Sequence, residues 1–201
     1  MSINPTDILM NEHRVIEQVL DCLEAILDRC AADDSLDLRS ATQVMEFLGG
    51  FVERCHHQKE EHCLFPAMEA NGFSGECSPV TVMLREHELG RVYVQGMRSA
   101  IESMAAGDSG PLKFLQPGRA YLNLIREHIR KEDTCLFPAA NHHLAEADQQ
   151  RLLAEFDKVE ADEIGQGIHD RFLRLANELA HHLHVPVAEV DHQSHAGHCG
   201  H

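Results

Sequence analysis

The apolar residues of the chain recur every three or four positions, which is the spacing of amphipathic helices rather than of strands. The first stripe follows Asn4-Pro5, a capping residue ahead of a proline in the first helical turn. It is formed by Leu9, His13, Ile16, Leu20, Leu23 and Leu27. Steps that alternate between four and three are typical of helices packed in a bundle. Because His13 occupies a stripe position, we expect its ring to point into the core.

Three more stripes predict three more long helices. The second helix covers about Leu38 to Ala70, and its stripe of Met45, Leu48 and Val52 continues in steps of four through His56 and Glu60. The third opens at Ser78-Pro79 and carries Val80, Leu84, His87, Arg91, Val94 and Ile101. The fourth places Tyr121, Ile125, His128, Glu132 and Cys135 on one face. Glycine-rich turns at 71–75 and 107–111 separate these helices.

The pattern changes after Asn141. Two less apolar helices are predicted, from Leu144 to Glu163 and from Ile168 to His184, and we expect them to pack outside the bundle or to mediate a homodimer. The tail from Val185 to His201 holds His192, His195, His198 and His201 between small residues. Such a segment is expected to be disordered and able to capture metals. The predicted organisation is therefore a bundle at 1–143, a helical extension at 144–185 and a histidine-rich tail at 186–201.

The first four helices form an internal repeat. The segment His56-His57-Gln58-Lys59-Glu60-Glu61-His62-Cys63-Leu64-Phe65-Pro66 has a near copy in His128-Ile129-Arg130-Lys131-Glu132-Asp133-Thr134-Cys135-Leu136-Phe137-Pro138. Likewise, Met10-Asn11-Glu12-His13 is similar to Leu84-Arg85-Glu86-His87. Each half is thus a helical hairpin, and two hairpins predict an all-α, up-down antiparallel four-helix bundle with all four histidines at one level of the core.

The repeated residues predict a metal centre. A histidine and a glutamate four residues apart share one face of a helix. The proposed ligands are His13, His56, Glu60, His87, His128 and Glu132. This set is too large for a structural zinc site, which takes four ligands. It suits two first-row ions, each held by two histidines and bridged by both glutamates, with open positions for dioxygen, nitric oxide, peroxide or water. Iron is the first choice, ahead of manganese or zinc.

Several residues near this set have more than one interpretation. His57 and Glu61 have the same spacing as His56 and Glu60 and are the alternative ligand pair, although the repeat favours the first pair. Otherwise they are expected to support the ligands or to be exposed. The glutamates that precede the proposed ligands, Glu12, Glu86 and Glu127, are interpreted mainly as solvated charges and secondarily as hydrogen-bond partners of an imidazole. Arg91 is expected to contact a bridging glutamate or bound ligand, or to form an inter-helix ion pair.

Charge and cysteine usage narrow the class of protein. The 201 residues carry 17 basic and 33 acidic side chains, a net charge of −16 with histidine neutral. This excess of acid argues against nucleic acid and anionic membranes as partners. Seven cysteines without a CxxC pair favour a reduced, cytoplasmic protein. We expect Cys22, Cys63 and Cys135 to be buried, and we expect the surface to hold His142, His143, His169, His181, His182 and His184.

These motifs resemble those of the hemerythrin-like (HHE cation-binding) family. The resemblance rests on the two segments at 56–66 and 127–138 and covers roughly residues 5 to 140. It implies a non-haem di-iron centre, with Glu60 and Glu132 as the bridges. Oxygen-carrying members have a further histidine one turn after the ligand on the third helix, where this chain has Arg91. The resemblance therefore favours bacterial members with four histidines and two glutamates over an oxygen carrier.

Three functional hypotheses follow. The first is a di-iron protein that binds, senses or detoxifies dioxygen, nitric oxide or peroxide, or that handles iron in a stress response. The second is a metal-buffering or metal-delivery protein in which the histidine-rich tail binds the ions. The third is a di-iron oxidase or peroxidase, for which the sequence indicates no substrate pocket.

Overall fold

The computed structural model describes residues 3–107, 110–161 and 167–189. Within these ranges the chain is helical, and no strand is present, which confirms the predicted all-α class. The described helices are α1 (Pro5–Asp33), α2 (38–70), α3 (Pro79–Ala105), α4 (112–143), α5 (Glu146–Val159) and α6 (Ile168–Leu183). The up-down order of the bundle stays a prediction. Most of the histidine-rich tail, from 190 onward, lies outside the described residues.

The predicted starts of α1 and α3 agree with the caps in the structure. At α1 the backbone N–H of Asn4 donates to Asp7 Oδ2 at 2.9 Å. At α3 the hydroxyl of Ser78 accepts from the N–H of Thr81 at 3.1 Å. A proline occupies the first turn of both helices, where its missing N–H leaves no helical bond unmade.

The helices α2 and α4 contain π-helical turns. Helix α2 runs through Leu38–Phe47, the π-helical Leu48–His56, His57–Lys59, the π-helical Glu60–Leu64 and Phe65–Ala70. Helix α4 runs through Leu112–Lys131, the π-helical Glu132–Leu136 and Phe137–His143. The second π segment of α2 and that of α4 are equivalent in the repeat, and each begins at a proposed bridging glutamate.

The Leu-Phe-Pro motif explains these equivalent π turns. A proline inside a helix has no N–H to donate, and its ring crowds the carbonyl four residues earlier. Just ahead of Pro66, the N–H of Phe65 donates to the carbonyl of Glu60, five residues back, and Phe137 does the same to Glu132. The wider turn accommodates the proline. The helix therefore continues past Pro66 instead of ending there.

Two apolar clusters enclose the level at which the proposed ligands lie. The larger includes Val15, Leu20, Phe47, Phe51, Val94 and Ile125. The smaller includes Leu9, Phe65, Met68, Met83, Phe137 and Phe156. On α1, His13 lies between Leu9 of the smaller cluster and Val15 of the larger, and His87 of α3 is placed in the same way. Burial of both clusters therefore fixes the polar layer between them.

The C-terminal helices contribute to both clusters. Phe156 of α5 belongs to the smaller cluster and Phe172 of α6 to the larger, and both rings are no more than 2% exposed. Helix α6 approaches α2 closely at Gly50, where a Cβ atom would lie 1.9 Å from Phe172 Cζ. A glycine at this position is therefore what lets the ring of Phe172 pack on the α2 backbone. None of the described helices combines the length and apolar character that crossing a membrane requires.

Candidate metal centre

The structure brings the six proposed ligands together in the polar layer. Each is no more than 2% exposed, and they are His13, His56, Glu60, His87, His128 and Glu132. Their ring nitrogens meet in two pairs. The Nε2 atoms of His13 and His56 are 3.0 Å apart, as are those of His87 and His128. Each pair therefore joins one histidine from the first helix of a hairpin to one from the second.

The two glutamates lie between the histidine pairs. Glu60 directs Oε1 toward His56 Nε2 at 3.5 Å and Oε2 toward His87 Nε2 at 3.4 Å. Oε2 of Glu132 lies 3.3 Å from both His13 Nε2 and His128 Nε2. Each carboxylate thus faces both pairs, which is the position of a bridging ligand.

The carboxylate oxygens of Glu60 and Glu132 are buried and make no hydrogen bond within the described part of the chain. A buried polar atom without a partner is rare and destabilising, and it calls for a physical explanation. Two cations between the pairs would supply the missing partners. Four imidazoles and two carboxylates are also a donor set that first-row metal ions prefer. The residues present therefore fit a two-metal centre.

Burial and mutual repulsion shape the titration of the two glutamates. Burial, together with the nearby charge of Glu132, raises the pKa of Glu60 well above its usual range. Burial acts the same way on Glu132, but His128 and His13 outweigh it and lower the pKa of that carboxyl. The two pKa values shift in opposite directions because two adjacent buried charges repel each other, which disfavours the charged form of one carboxylate.

The histidines differ in the same way. Burial alone would lower the pKa of His13, but Asp133 and Glu132 raise it to about 9. Burial lowers the pKa of His56 to about 4, despite its hydrogen bond with Glu12, and burial also lowers the pKa of His87. A neutral imidazole is the form that binds a metal, so His56 and His87 favour the binding form, whereas a metal at His13 must displace a proton.

A ring of outer carboxylates orients the four imidazoles. Every Nδ1 atom has one carboxylate partner: Asp133 for His13 at 2.7 Å, Glu12 for His56 at 2.9 Å, Glu61 for His87 at 2.7 Å, and Glu86 for His128 at 2.9 Å. Such contacts fix the ring and leave Nε2 as the ligand atom. The interpretation of Glu12 and Glu86 as mainly solvated charges was therefore wrong, because both side chains contact a proposed ligand on the neighbouring helix.

The outer ring is itself held by basic residues. Lys59 pairs with Glu12 and Lys131 with Glu86, while Arg14 pairs with Asp133. No role for these basic side chains was predicted from the sequence. The repeat contained a signal, since Lys59 aligns with Lys131 and Glu61 with Asp133. Glu127, by contrast, is exposed and pairs with Arg130.

Arg91 forms an ion pair between helices, one of the two contacts predicted for it. Its Nε atom lies 2.8 Å from Glu53 Oε2, and its guanidinium also pairs with Glu61 and Glu88. It therefore acts on the centre through Glu61, which holds the ring of His87.

His57 is buried beside the second histidine pair. Its side chain is 4% exposed, and its ring stacks on that of His87 with centroids 3.8 Å apart and planes 16° apart. Nδ1 of His57 lies 3.0 Å from Glu53 Oε1. Burial lowers the pKa of His57 well below its usual value, so the ring is neutral. Candidate ligand atoms of His57, Glu60, His87 and His128 all lie within 4.8 Å of one another.

A second buried polar cluster adjoins the first histidine pair. It contains the ammonium of Lys59, which pairs with Glu12 and, at 2.6 Å, with Glu160 beyond the end of α5. Ligand atoms of Glu12, Cys55, Glu160 and His169 also lie within 4.8 Å of one another. Because the lysine already supplies the positive charge that both carboxylates need, we interpret this cluster as a support of His56 rather than a third metal site.

Two predictions of exposure were wrong. His169 was expected on the surface but is half-buried beside this cluster, because the start of α6 packs against α2. Cys135 was expected to be buried but is exposed, whereas Cys22 and Cys63 are buried as predicted. The five other histidines assigned to the surface are exposed.

Comparison with known proteins supports the interpretation of this polar layer as a cation-binding site. Residues 4–140 match the family model described as the hemerythrin HHE cation-binding domain. The chain is also 28% identical over 160 residues to a protein of Mycobacterium bovis and to two of Mycobacterium tuberculosis, each named as uncharacterized. The match covers 79% of this chain and 62% of each relative. No solved structure matches the chain significantly. Since the family model spans more than half of its length, the chain belongs to the hemerythrin HHE cation-binding family.

Proposed function

We propose that this protein is a non-haem di-iron protein that binds or senses dioxygen, nitric oxide or peroxide. The observation that carries the proposal is the set of carboxylate oxygens of Glu60 and Glu132, buried without hydrogen bonds in the described part of the chain and facing two pairs of imidazole nitrogens. One ion would lie with His13 and His56, and the other with His87 and His128.

Charge favours this arrangement. Two carboxylates buried side by side repel each other in a medium of low dielectric constant, and isolated buried charges are strongly unfavourable. Divalent cations between the histidine pairs would reverse that repulsion into attraction. Neutral nitrogen and anionic oxygen donors suit iron, whereas calcium prefers oxygen donors alone. Iron would supply the redox chemistry and the affinity for diatomic molecules.

The protein's own residues hold and shield the ions. The outer carboxylates keep every Nε2 atom directed inward, so the ligands need little reorganisation when a metal binds. The apolar clusters above and below the polar layer keep water away from it. A small molecule such as dioxygen could reach such a layer through side-chain motion, whereas a large substrate would need an opening to the ligands. A diatomic or peroxide is therefore the class of ligand that the geometry favours.

Metal analysis tests the proposal. Protein produced with supplemented iron and purified anaerobically without chelator should contain about two iron ions per chain. One ion or none under these conditions would overturn the two-metal centre. An absorption spectrum of the ferrous protein that changes after addition of dioxygen, or separately of nitric oxide, would identify the ligand.

Substitution of a bridge sharpens this test. Glu60→Ala should lose metal because both ions lose an oxygen donor. Glu127→Ala is the matched control, since Glu127 precedes His128 but points to solvent and pairs with Arg130. It should retain the full metal content. Equal metal content in the two variants would contradict the bridging role of Glu60.

A further inference from the structure

A cavity lies where the turn between α2 and α3 meets α4. Its volume is about 370 Å³, which is in the range of small-molecule sites. Six of its wall residues are apolar, namely Phe73, Pro79, Val82, Met83, Leu136 and Ala139. Met83 and Leu136 form the floor, since both are buried members of the smaller apolar cluster, whereas Val82 is 38% exposed. The cavity is therefore an apolar opening at the surface, and none of the six proposed metal ligands lines it.

Hydrogen bonds hold the walls of this cavity in place. The N–H of Phe73 donates to the carbonyl of Met68 at 3.1 Å, and the hydroxyl of Thr81 donates to the carbonyl of Gly75 at 2.9 Å. The cap at Ser78 fixes the start of α3 beside them. The cavity thus has its shape before a ligand binds, which lowers the entropic cost of binding.

The charge around the cavity differs from that of the whole chain. The chain has 33 acidic and 17 basic side chains, yet none of the described residues that line the cavity is acidic. Lys131 lines it and also pairs with Glu86. An ammonium has three N–H donors, so that of Lys131 can bind another carboxylate as well. A cavity of about 400 Å³ between α2 and α3 suits an anion less, because Glu46 and Glu102 line it beside Arg98.

We propose that the cavity at α4 binds a small amphipathic anion, an apolar chain that ends in a carboxylate. The apolar chain lies against Met83 and Leu136, where its surface is removed from water. The carboxylate pairs with Lys131 through a charge-assisted hydrogen bond. This site is separate from the metal centre, so the inference does not rest on the proposed function.

Two thiols in the wall report whether the cavity is occupied. Cys77 and Cys135 line it and are exposed, so an alkylating reagent can reach them. Decanoate, kept below its micelle-forming concentration and about tenfold above its dissociation constant, should slow alkylation of both by iodoacetamide at least about fivefold. Mass spectrometry of the peptides measures each rate. Cys199 of the histidine-rich tail is the internal reference, and its rate should not change.

Two results of this experiment would overturn the proposal. One is an unchanged rate at Cys135 and Cys77, and the other is an equal slowing at Cys199, which would indicate a general effect of decanoate. A third outcome concerns a different occupant. If both cavity thiols become protected as the protein concentration rises without decanoate, a second copy of the chain covers the cavity, and the proposal is wrong.

Val82→Asp tests the wall of the cavity. The new carboxylate faces the apolar chain and repels the anion, so isothermal titration calorimetry should show at least about tenfold weaker binding of decanoate. Leu89→Asp is the matched control, because Leu89 is on the same helix and is 41% exposed but does not line the cavity. It should bind decanoate as the wild type does. Equal affinities in the two variants would contradict the proposed site.

Decanol tests the contribution of Lys131 without a substitution. It has the same apolar chain as decanoate but no charge, so it should bind the wild-type protein about threefold to fivefold more weakly. Equal affinities would show that the cavity does not select an anion. Circular dichroism checks that Val82→Asp folds, and if it does not, thiol protection and the decanol comparison in the wild type decide the question.

Discussion

The two halves of the metal centre contain the same chain of contacts but differ in how it is covered. In the first half Lys59 holds Glu12, which holds His56, and the side chains of the lysine and the glutamate are 0% exposed. In the second half Lys131 holds Glu86, which holds His128, and these side chains are 27% and 19% exposed. The repeat therefore encodes one motif in two different environments.

The C-terminal extension accounts for part of this difference. Glu160, beyond α5, supplies a second carboxylate to Lys59, and α6 packs on α2 through Phe172 and Gly50. A buried ion pair must be kept intact because either partner alone would be an uncompensated charge, whereas an exposed pair is stabilised by water in any case. Because the extension covers the Lys59–Glu12 pair, this pair supports His56 and is also needed for the stability of the fold.

The largest expected effect separates the two lysines. Lys59→Met leaves Glu12 buried without its cation and should lower the free energy of unfolding of the metal-free protein by about 3–5 kcal/mol. Lys131→Met should lower it by less than about 1 kcal/mol, because the pair is partly exposed. Urea denaturation followed by circular dichroism measures both. Similar losses of unfolding free energy in the two variants would show that burial of the Lys59–Glu12 pair does not change its contribution to stability.

A smaller effect is expected where α6 docks. Gly50→Ala places a Cβ atom against the ring of Phe172 and should lower the free energy of unfolding by about 1–3 kcal/mol through overpacking. Gly90→Ala in α3 is the control, since its Cβ would lie 3.5 Å from the nearest side-chain atom, Ile125 Cδ1. That variant should be unchanged or stabilised by up to about 1 kcal/mol through helix propensity. Destabilisation of both would count against a specific contact at α6.

The outer carboxylates should affect metal affinity to different extents. Glu12→Gln should weaken metal binding at the pair His13 and His56 by about 100-fold. Glu86→Gln should weaken metal binding at the pair His87 and His128 by about 10-fold. The reason is that the charge of Glu12 acts through a buried environment, whereas solvent screens that of Glu86. Chelator competition on both variants measures these ratios. A larger effect at Glu86 would reverse the comparison.

The smallest expected effect concerns Glu160. Glu160→Gln removes one of the two carboxylates on Lys59, but Glu12 remains paired and Glu160 is 33% exposed. We expect a loss of no more than about 1 kcal/mol in the free energy of unfolding. Glu155→Gln is the control, because its side chain is 36% exposed and its partner Arg151 is also on the surface. A loss above about 3 kcal/mol would mean that Glu160, rather than Glu12, is the essential partner of Lys59.

Much of the site could be predicted because its residues follow local rules. The stripe positions of His13 and His87 and the four-residue spacing of His56 and Glu60 depend only on helical geometry. Caps at Asn4 and Ser78 are likewise local, and the structure has both helices beginning there. The duplicated Leu-Phe-Pro motif selected which of two adjacent histidines to align with His128.

The face of α2 on which His57 lies was harder to predict, because α2 is not a regular α-helix. The π-helical segment Leu48–His56 turns the chain less per residue than an α-helix does, so adjacent residues can both face inward. A period of 3.6 placed His57 away from the stripe of Met45 and Val52. Two adjacent buried histidines are the result.

The sequence by itself determined the helices, the repeat and the six residues that meet in the polar layer, since helical period and local capping act within a few residues. The tertiary structure decided which carboxylate holds each imidazole, that Lys59 is buried and that His57 is buried beside the second histidine pair. These features depend on contacts such as Lys59 with Glu160, which are 101 residues apart. Only the packing of whole helices against one another brings such residues together.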